Sequence, residues 1–129
     1  MDVLIRYGFS MEEIKNMMEN NSEIENIPDK NIYDIIDILS NVGCLSNHIK
    51  NIFYSNPFCL SRNPKDIQRL IYKMLQMHLT HLEVVFDSNP YLLNLIVNEL
   101  DRVVKRKQKD GLNMEEIIDY IYYDSSEIF

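Results

Sequence analysis

The feature that most constrains the fold is a unit of 33 to 35 residues that recurs along the chain. Ile14, Ile49, Leu82 and Ile117 follow one another at offsets of 35, 33 and 35, each one turn into a segment with helical apolar spacing. The register holds at a second landmark, where "NPFCL" at Asn56 matches "NPYLL" 33 residues later. Two helical segments per period predict an all-α helical-repeat solenoid, in which each unit buries its apolar face against its neighbours.

The length of 129 residues fits a single domain of about three and a half such units. We predict repeats at approximately 8–42, 43–77 and 78–109 and a partial repeat at 110–129, each full repeat having two or three helices. The period leaves a right-handed and a left-handed superhelix equally open. Amphipathic spacing predicts helices near residues 11–21, 30–42, 46–55, 64–77, 79–87, 91–108 and 113–124.

Short signals at the ends of these segments agree with the helical assignment. Ser10 and Asn113 each precede "MEEI" and are good amino-terminal caps, with acidic residues in the first turn where the helix dipole favours them. Pro57 and Pro90 can open a helix because the first turn leaves its N–H groups unbonded. The residues that fit the left-handed position after a helix are Gly8, Gly43 and Gly111.

Two stretches resemble the repeat of the mitochondrial transcription termination factor (mTERF) family. They are "VGCLSNHIKNIFYSNPFCL" at 42–60 and "HLTHLEVVFDSNPYLL" at 78–93. In that family a glycine and an isoleucine lie on one helix, and a proline followed by two leucines precedes the next. The resemblance implies a superhelix of three-helix units, two long and one short after the proline, that binds DNA or RNA along a basic face.

Charge is distributed unevenly around a net charge of −7. Residues 1–29 hold seven acids and two bases, and residues 110–129 hold six acids and no base, whereas residues 62–109 carry nine bases against five acids. Helical spacing and the 33-residue shift place many of these bases on one stripe, which could follow a phosphate backbone. The alternative that the charges are merely solvated stays open. The candidate nucleic-acid-binding residues are Arg62, Lys65, Arg69, Lys73, Arg102, Lys105, Arg106 and Lys109.

A protein-interaction module without nucleic-acid binding is the alternative function. The acidic ends would steer it toward basic partners. The last half repeat would leave apolar surface open to a protein partner or a second copy, unless it packs on the preceding helix. Its aromatic residues are Tyr120, Tyr122, Tyr123 and Phe129. Lys107 breaks the apolar pattern and predicts that the "KRKQK" segment is frayed and exposed.

Other function classes find little support in the sequence. His78 and His81 have a spacing that can bind a metal, but no carboxylate or thiol completes a ligand set, so we expect no metal site and no cofactor. No pattern of catalytic residues is present, and we expect neither an enzyme nor a small-molecule substrate. Without a long apolar run or a leader pattern, we expect a cytoplasmic protein that does not enter a membrane. Cys44 and Cys59 then stay reduced.

Overall fold

The computed structural model describes residues 2–123, and within a helix it describes side chains as far as Ile121. The regular secondary structure of this part of the chain is all helix, joined by short turns and extended residues, without a strand. Three 3₁₀ helices cover Ile24–Asn26, Pro57–Ser61 and Pro90–Asn94. The α-helices are α1 (Asp2–Tyr7), α2 (Met11–Asn20), α3 (Asp29–Asn41), α4 (Ser46–Ser55), α5 (Pro64–Gln76), α6 (Leu82–Ser88), α7 (Val97–Lys109) and α8 (Met114–Tyr123).

The helices stack in three rows, one for each position in the repeat. Helices α2, α4 and α6 open successive units and pack side by side, while α1, α3, α5 and α7 form a second row. The 3₁₀ helices that join the two rows within each unit stack along a third line. The last helix, α8, packs on α7. The predicted all-α solenoid, with two long helices and one short helix per unit, is therefore confirmed.

The apolar residues that define the period form the core. Ile14, Ile49, Leu82 and Ile117, the four equivalent positions of the opening helices, are all buried. The matching positions of the second row are buried as well: Ile32, Ile35, Leu39, Ile67, Leu70, Ile71, Met74, Leu100, Val103 and Val104. Each unit thus buries one stripe against the next unit, and this burial drives the stacking.

The predicted amino-terminal caps Ser10 and Asn113 are present, and in the structure each forms a full capping box. Glu13 N donates to Ser10 Oγ at 3.1 Å, and Ser10 N donates to Glu13 Oε1 at 2.9 Å. At the last helix, Glu116 N donates to Asn113 Oδ1 at 2.9 Å and Asn113 N donates to Glu116 Oε1 at 3.1 Å. Each pair satisfies two backbone donors that the first turn would otherwise leave unbonded. The identical "MEEI" segments are therefore helix starts.

A residue with a left-handed backbone follows each helix of the second row, one or two positions after the last helical residue. Gly8, Gly43 and Gly111 have φ of +111°, +105° and +97°, as their positions predict. The equivalent residue after α5 is His78, with φ of +66°. A side chain in this region costs roughly 1–2 kcal/mol, which glycine avoids. The third repeat therefore begins at a position where the backbone is strained.

Two predicted helices have different bounds in the structure. The helix expected at 91–108 begins only at Val97, because residues 90–94 form a 3₁₀ helix and Leu95 and Ile96 are extended. The helix expected at 79–87 begins at Leu82, since His81 has a left-handed backbone, with φ of +54°. Helix α1 was not predicted from the sequence. It packs beside α3 and extends the second row by one helix.

Buried asparagines link consecutive repeats. Asn21 Nδ2 donates to the carbonyl oxygen of Pro57 at 3.0 Å, and Asn56, the equivalent residue one repeat later, donates to Pro90 O at 3.0 Å. Asn56 Nδ2 also lies 2.9 Å from Asn94 Oδ1. Each bond reaches the first carbonyl of the 3₁₀ helix in the following repeat, so these amides fix the register between units.

Candidate functional site

Helix α5 presents a polar face opposite its buried stripe. Its sequence "PKDIQRLIYKMLQ" places Ile67, Leu70, Ile71 and Met74 in the core, so residues three and four apart on the other side face outward. Lys65 and Arg69 are exposed on this outer side, and Lys73 is half-buried beside α7. The structure thus brings these three predicted residues onto one helix face.

Helix α7 continues the polar face of α5 in the next repeat. Its predicted residues Arg102, Lys105, Arg106 and Lys109 are all exposed. None of the four has an ion-pair partner within residues 2–123. Helices α5 and α7 together carry eight basic and three acidic side chains. The two stacked helices therefore form a positive surface in a protein that is negative as a whole, and we call the outer side of α5 and α7 the basic face.

Two carboxylates lie within the basic face. Arg69 Nη1 is 2.8 Å from Asp66 Oδ1 on the same helix, and Lys73 Nζ is 3.0 Å from Asp101 Oδ1 on α7. Exposed pairs of this kind contribute only about 0–1 kcal/mol, so an anionic ligand can compete with them. The Lys73–Asp101 pair also joins α5 to α7 across the junction of the two repeats.

The structure corrects the prediction at Arg62, which is not part of the basic face. This residue is only 9% exposed, and its Nη1 donates to the carbonyl oxygens of Leu93 and Leu95 in the next repeat, the latter at 2.8 Å. Burial lowers the pKa of the guanidinium from its usual value, whereas nearby Asp66 acts in the opposite direction. Arg62 is one turn from Lys65 in sequence, but it precedes α5 in an extended segment and points inward.

The end of α7 also differs from the expected frayed segment. The helix is regular to Lys109, and Lys107 Nζ lies 4.1 Å from the ring centre of Tyr120 on α8. This cation–π contact explains a lysine at a core-like position. Tyr120 packs against the core. Of the other predicted aromatic residues, Phe129 and the side chains of Tyr122 and Tyr123 lie outside the described part of the structure.

A groove of about 720 Å³ opens on the basic face between α5 and α7. Tyr72 lies within it and is 64% exposed. The prediction did not include Tyr72, although its position three residues after Arg69 and next to Lys73 is a signal that places it on the basic face. The groove is lined by Lys65, Gln68, Arg69, Tyr72, Lys73, Gln76 and Val97.

The neighbouring helix α3 has the opposite charge. It carries one basic and three acidic side chains. Asp34 and Asp37 border the α5 side of the basic face, where they line a cleft of about 290 Å³ together with Lys65 and Gln68. Lys30 Nζ is 2.7 Å from Asp34 Oδ2 on the same helix. The basic face therefore ends abruptly at the α3–α5 junction.

The two histidines considered as metal ligands are exposed, and His81 Nδ1 lies 3.5 Å from Glu83 Oε1. Among residues 2–123, no group of three His, Cys, Asp or Glu side chains is close enough to hold a metal ion. No helix in the same part of the chain has the length and apolar content that crossing a bilayer requires.

The stacked rows and the repeating register define a helical-repeat protein of the α-solenoid class. A model of the mTERF family matches residues 1–126, so the chain belongs to the mTERF family. The resemblance inferred from the sequence is thus confirmed over nearly the whole chain. A search of curated proteins and a search of solved structures each found no match.

Proposed function

We propose that this protein binds DNA or RNA through the basic face of α5 and α7. The observation that carries the proposal is the alignment of cations from two consecutive repeats on one surface, all of them exposed except the half-buried Lys73: Lys65, Arg69, Lys73, Arg102, Lys105, Arg106 and Lys109. Membership of the mTERF family supports a nucleic-acid partner in general terms. The acidic residues of α3 and the net charge of −7 confine attraction for a polyanion to this face.

Binding of this kind depends on the release of counterions from phosphates. Each phosphate neutralised by a lysine or arginine adds roughly −0.9 to the logarithmic salt slope on a duplex and roughly −0.7 on a single strand. Contacts to the backbone carry little sequence information. We therefore expect binding that weakens steeply with salt and varies little with sequence.

The test is fluorescence anisotropy with labelled DNA and RNA over a series of salt concentrations. Arg102→Glu should weaken binding and reduce the salt slope by about one phosphate contact, roughly 0.7–0.9. Lys15→Glu is the matched control, because it makes the same charge change at an exposed residue of α2, in the other row of long helices. Equal losses in both variants, or no salt-sensitive binding of the wild type, would contradict the proposal.

A protein-interaction module remains the second candidate. Phe58 and Tyr91 are exposed at equivalent positions of consecutive 3₁₀ helices, and aromatic side chains of this kind are enriched at protein interfaces. If this function is correct, Phe58→Ser should reduce the affinity for a purified protein partner. Arg102→Glu should leave that affinity unchanged. The reverse result favours the basic face.

A further inference from the structure

We propose that the groove between α5 and α7 holds an unstacked base against Tyr72, so that the protein prefers single-stranded nucleic acid to a duplex. The inference rests on the proposed function and specifies its substrate class. Tyr72 lies at the centre of the groove-lining face of α5, one turn from Arg69 and next to Lys73. An aromatic ring between cations is the arrangement with which proteins hold single strands.

The ring of Tyr72 is available to a ligand. The side chain is 64% exposed, and no hydrogen bond or ring contact involves it within residues 2–123. Val97 contributes apolar surface from α7 across the groove. The groove, of about 720 Å³, is open to solvent along the outer side of α5, so a base can reach the ring from outside. A base could therefore enter the groove and cover apolar surface that is now in water.

The polar residues of the groove suit a base without specifying which one. Gln68 and Gln76 lie one turn to either side of Tyr72 on the groove lining. A glutamine amide both donates and accepts hydrogen bonds, so it can pair with the edge of any base. Lys65, Arg69 and Lys73 are placed for the adjoining phosphates. The groove combines a stacking surface, adaptable polar groups and a positive path for the backbone.

Stacking separates this proposal from simple electrostatic attraction. A duplex has the higher charge density and gives the steeper counterion effect, so a merely basic surface binds duplex at least as well as a single strand. The internal bases of a duplex are stacked on both faces, and extruding one breaks its stacking and its base pair. The acidic border at Asp34 and Asp37 adds a second restriction, because these carboxylates lie on α3, the next helix of the same row, whose axis is only about 8–10 Å from that of α5. A preference for single strands therefore requires the groove.

The experiment measures anisotropy of labelled oligo(dT) and oligo(U) of about 12 nucleotides and of duplexes of the same length. Four proteins are compared: the wild type, Tyr72→Ala, Tyr72→Phe and Tyr33→Ala. Tyr33 is an exposed tyrosine of α3 that does not line the groove, so its substitution controls for the loss of any surface tyrosine. Circular dichroism and the thermal midpoint establish that each variant is folded.

We expect the wild type to bind one or both single strands more tightly than the duplexes. Tyr72→Ala should weaken single-strand binding at least roughly 5-fold and leave duplex binding unchanged, while Tyr72→Phe and Tyr33→Ala keep the wild-type affinity. The chain has eight tyrosines and no tryptophan, so quenching of tyrosine emission by a bound strand can be followed directly. That quenching should be smaller in Tyr72→Phe although its affinity is retained.

Equal affinity for single strands and duplexes, or equal effects of Tyr72→Ala and Tyr33→Ala, would overturn the stacking proposal while the basic face still binds phosphates. A wild type that binds neither polymer at low salt would overturn the proposed function as well. Comparison of oligo(dT) with oligo(U) distinguishes DNA from RNA, and the proposal is satisfied when either strand binds more tightly than its duplex and loses affinity in Tyr72→Ala.

Discussion

The guanidinium of Arg62 donates from Nη1 to the carbonyl oxygen of Leu95, at 2.8 Å, across the junction between two repeats. One repeat earlier, Asn31 Nδ2 donates to the carbonyl of Arg62 itself, at 3.1 Å, which is the position equivalent to Leu95. The equivalent backbone carbonyls of Arg62 and Leu95 thus accept from two different side chains, Asn31 and Arg62, which occupy different positions in their repeats. This substitution of roles explains why a basic residue next to α5 belongs to the interior.

Arg62→Met should destabilise the fold without weakening nucleic-acid binding by the folded protein. The variant leaves the carbonyls of Leu93 and Leu95 without their charged donor, and hydrogen bonds to charged groups contribute about 1.5–3 kcal/mol each. We expect a loss of roughly 2–4 kcal/mol in the free energy of unfolding, measured with urea. Lys65→Met, at an exposed position, should show the opposite pattern: unchanged stability and weaker binding. Loss of binding in folded Arg62→Met would place Arg62 back on the interface.

Asn56→Asp should destabilise the protein more than Asn56→Ala. Asn56 is 1% exposed and donates to Pro90 O, a bond that a carboxylate cannot make. Alanine leaves the carbonyl unsatisfied at a cost of about 1–3 kcal/mol, whereas aspartate adds a buried charge that faces an oxygen. Urea unfolding of both variants measures the order. If Asn56→Asp is the more stable of the two, the donor role assigned to Nδ2 is wrong.

His78→Gly should stabilise the protein by roughly 0.5–1 kcal/mol. Relief of the left-handed strain, about 1–2 kcal/mol, exceeds the entropy that glycine adds to the unfolded chain, about 0.4–1 kcal/mol. A rise in the thermal midpoint is the readout. Gly43→Ala is the reciprocal control at the equivalent position: φ of +105° and a Cβ 3.3 Å from Glu83 Oε2 both predict a loss. Stabilisation by Gly43→Ala would contradict this explanation.

Asp37→Asn should strengthen nucleic-acid binding about 2-fold at low salt. Asp37 borders the basic face beside Lys65, and one unit charge about 10 Å away in water is worth about 0.4 kcal/mol. The gain should disappear at high salt, where the Debye length shortens. Glu115→Gln removes the same charge at an exposed residue of α8 and serves as the control. A larger gain from Glu115→Gln would mean that net charge, and not the border, governs affinity.

The two cysteines should react with thiol reagents only when the protein unfolds. Burial raises the pKa of Cys44 to about 11 and that of Cys59 to about 12, so almost no thiolate exists near pH 8. An unfolded thiol has a pKa of about 8.5, so the unfolded state loses these protons first as the pH rises. The stability that the buried thiols contribute is complete below about pH 8.5. It declines as the pH rises from there toward the pKa values of the two thiols in the folded protein.

Reaction with Ellman's reagent in native buffer and in denaturant measures the first effect, and urea unfolding at about pH 8 and about pH 10 measures the second. Cys59→Ala should lose less stability than the wild type between these two conditions, because it lacks one of the two groups. Fast reaction of Cys59 in native buffer would show that its site opens without global unfolding.

Much of the fold could be predicted from the sequence because its determinants are local. The apolar spacing around Ile14 and Ile49 and the capping serine Ser10 each act within one or two helical turns, and the repetition of this local pattern every 33 to 35 residues indicates the solenoid. The bounds of α6 and α7 could not be predicted, since they depend on the backbone of His81 and on the extended residues after Pro90. Those conformations arise where one helix row meets the next.

For the basic face, the sequence by itself determined which side of each helix is polar, because burial of the apolar stripe fixes the other side. It placed Lys65, Arg69 and Arg102 outward and gave the repeat equivalence of Arg69 and Arg102. Only the tertiary structure decided that Arg62 points inward, that α3 ends the face with Asp34, and that Tyr72 lies in a groove. The physical reason is that these features belong to junctions between repeats, where the partner of each group comes from a unit about 33 residues away and is fixed only when the helices stack.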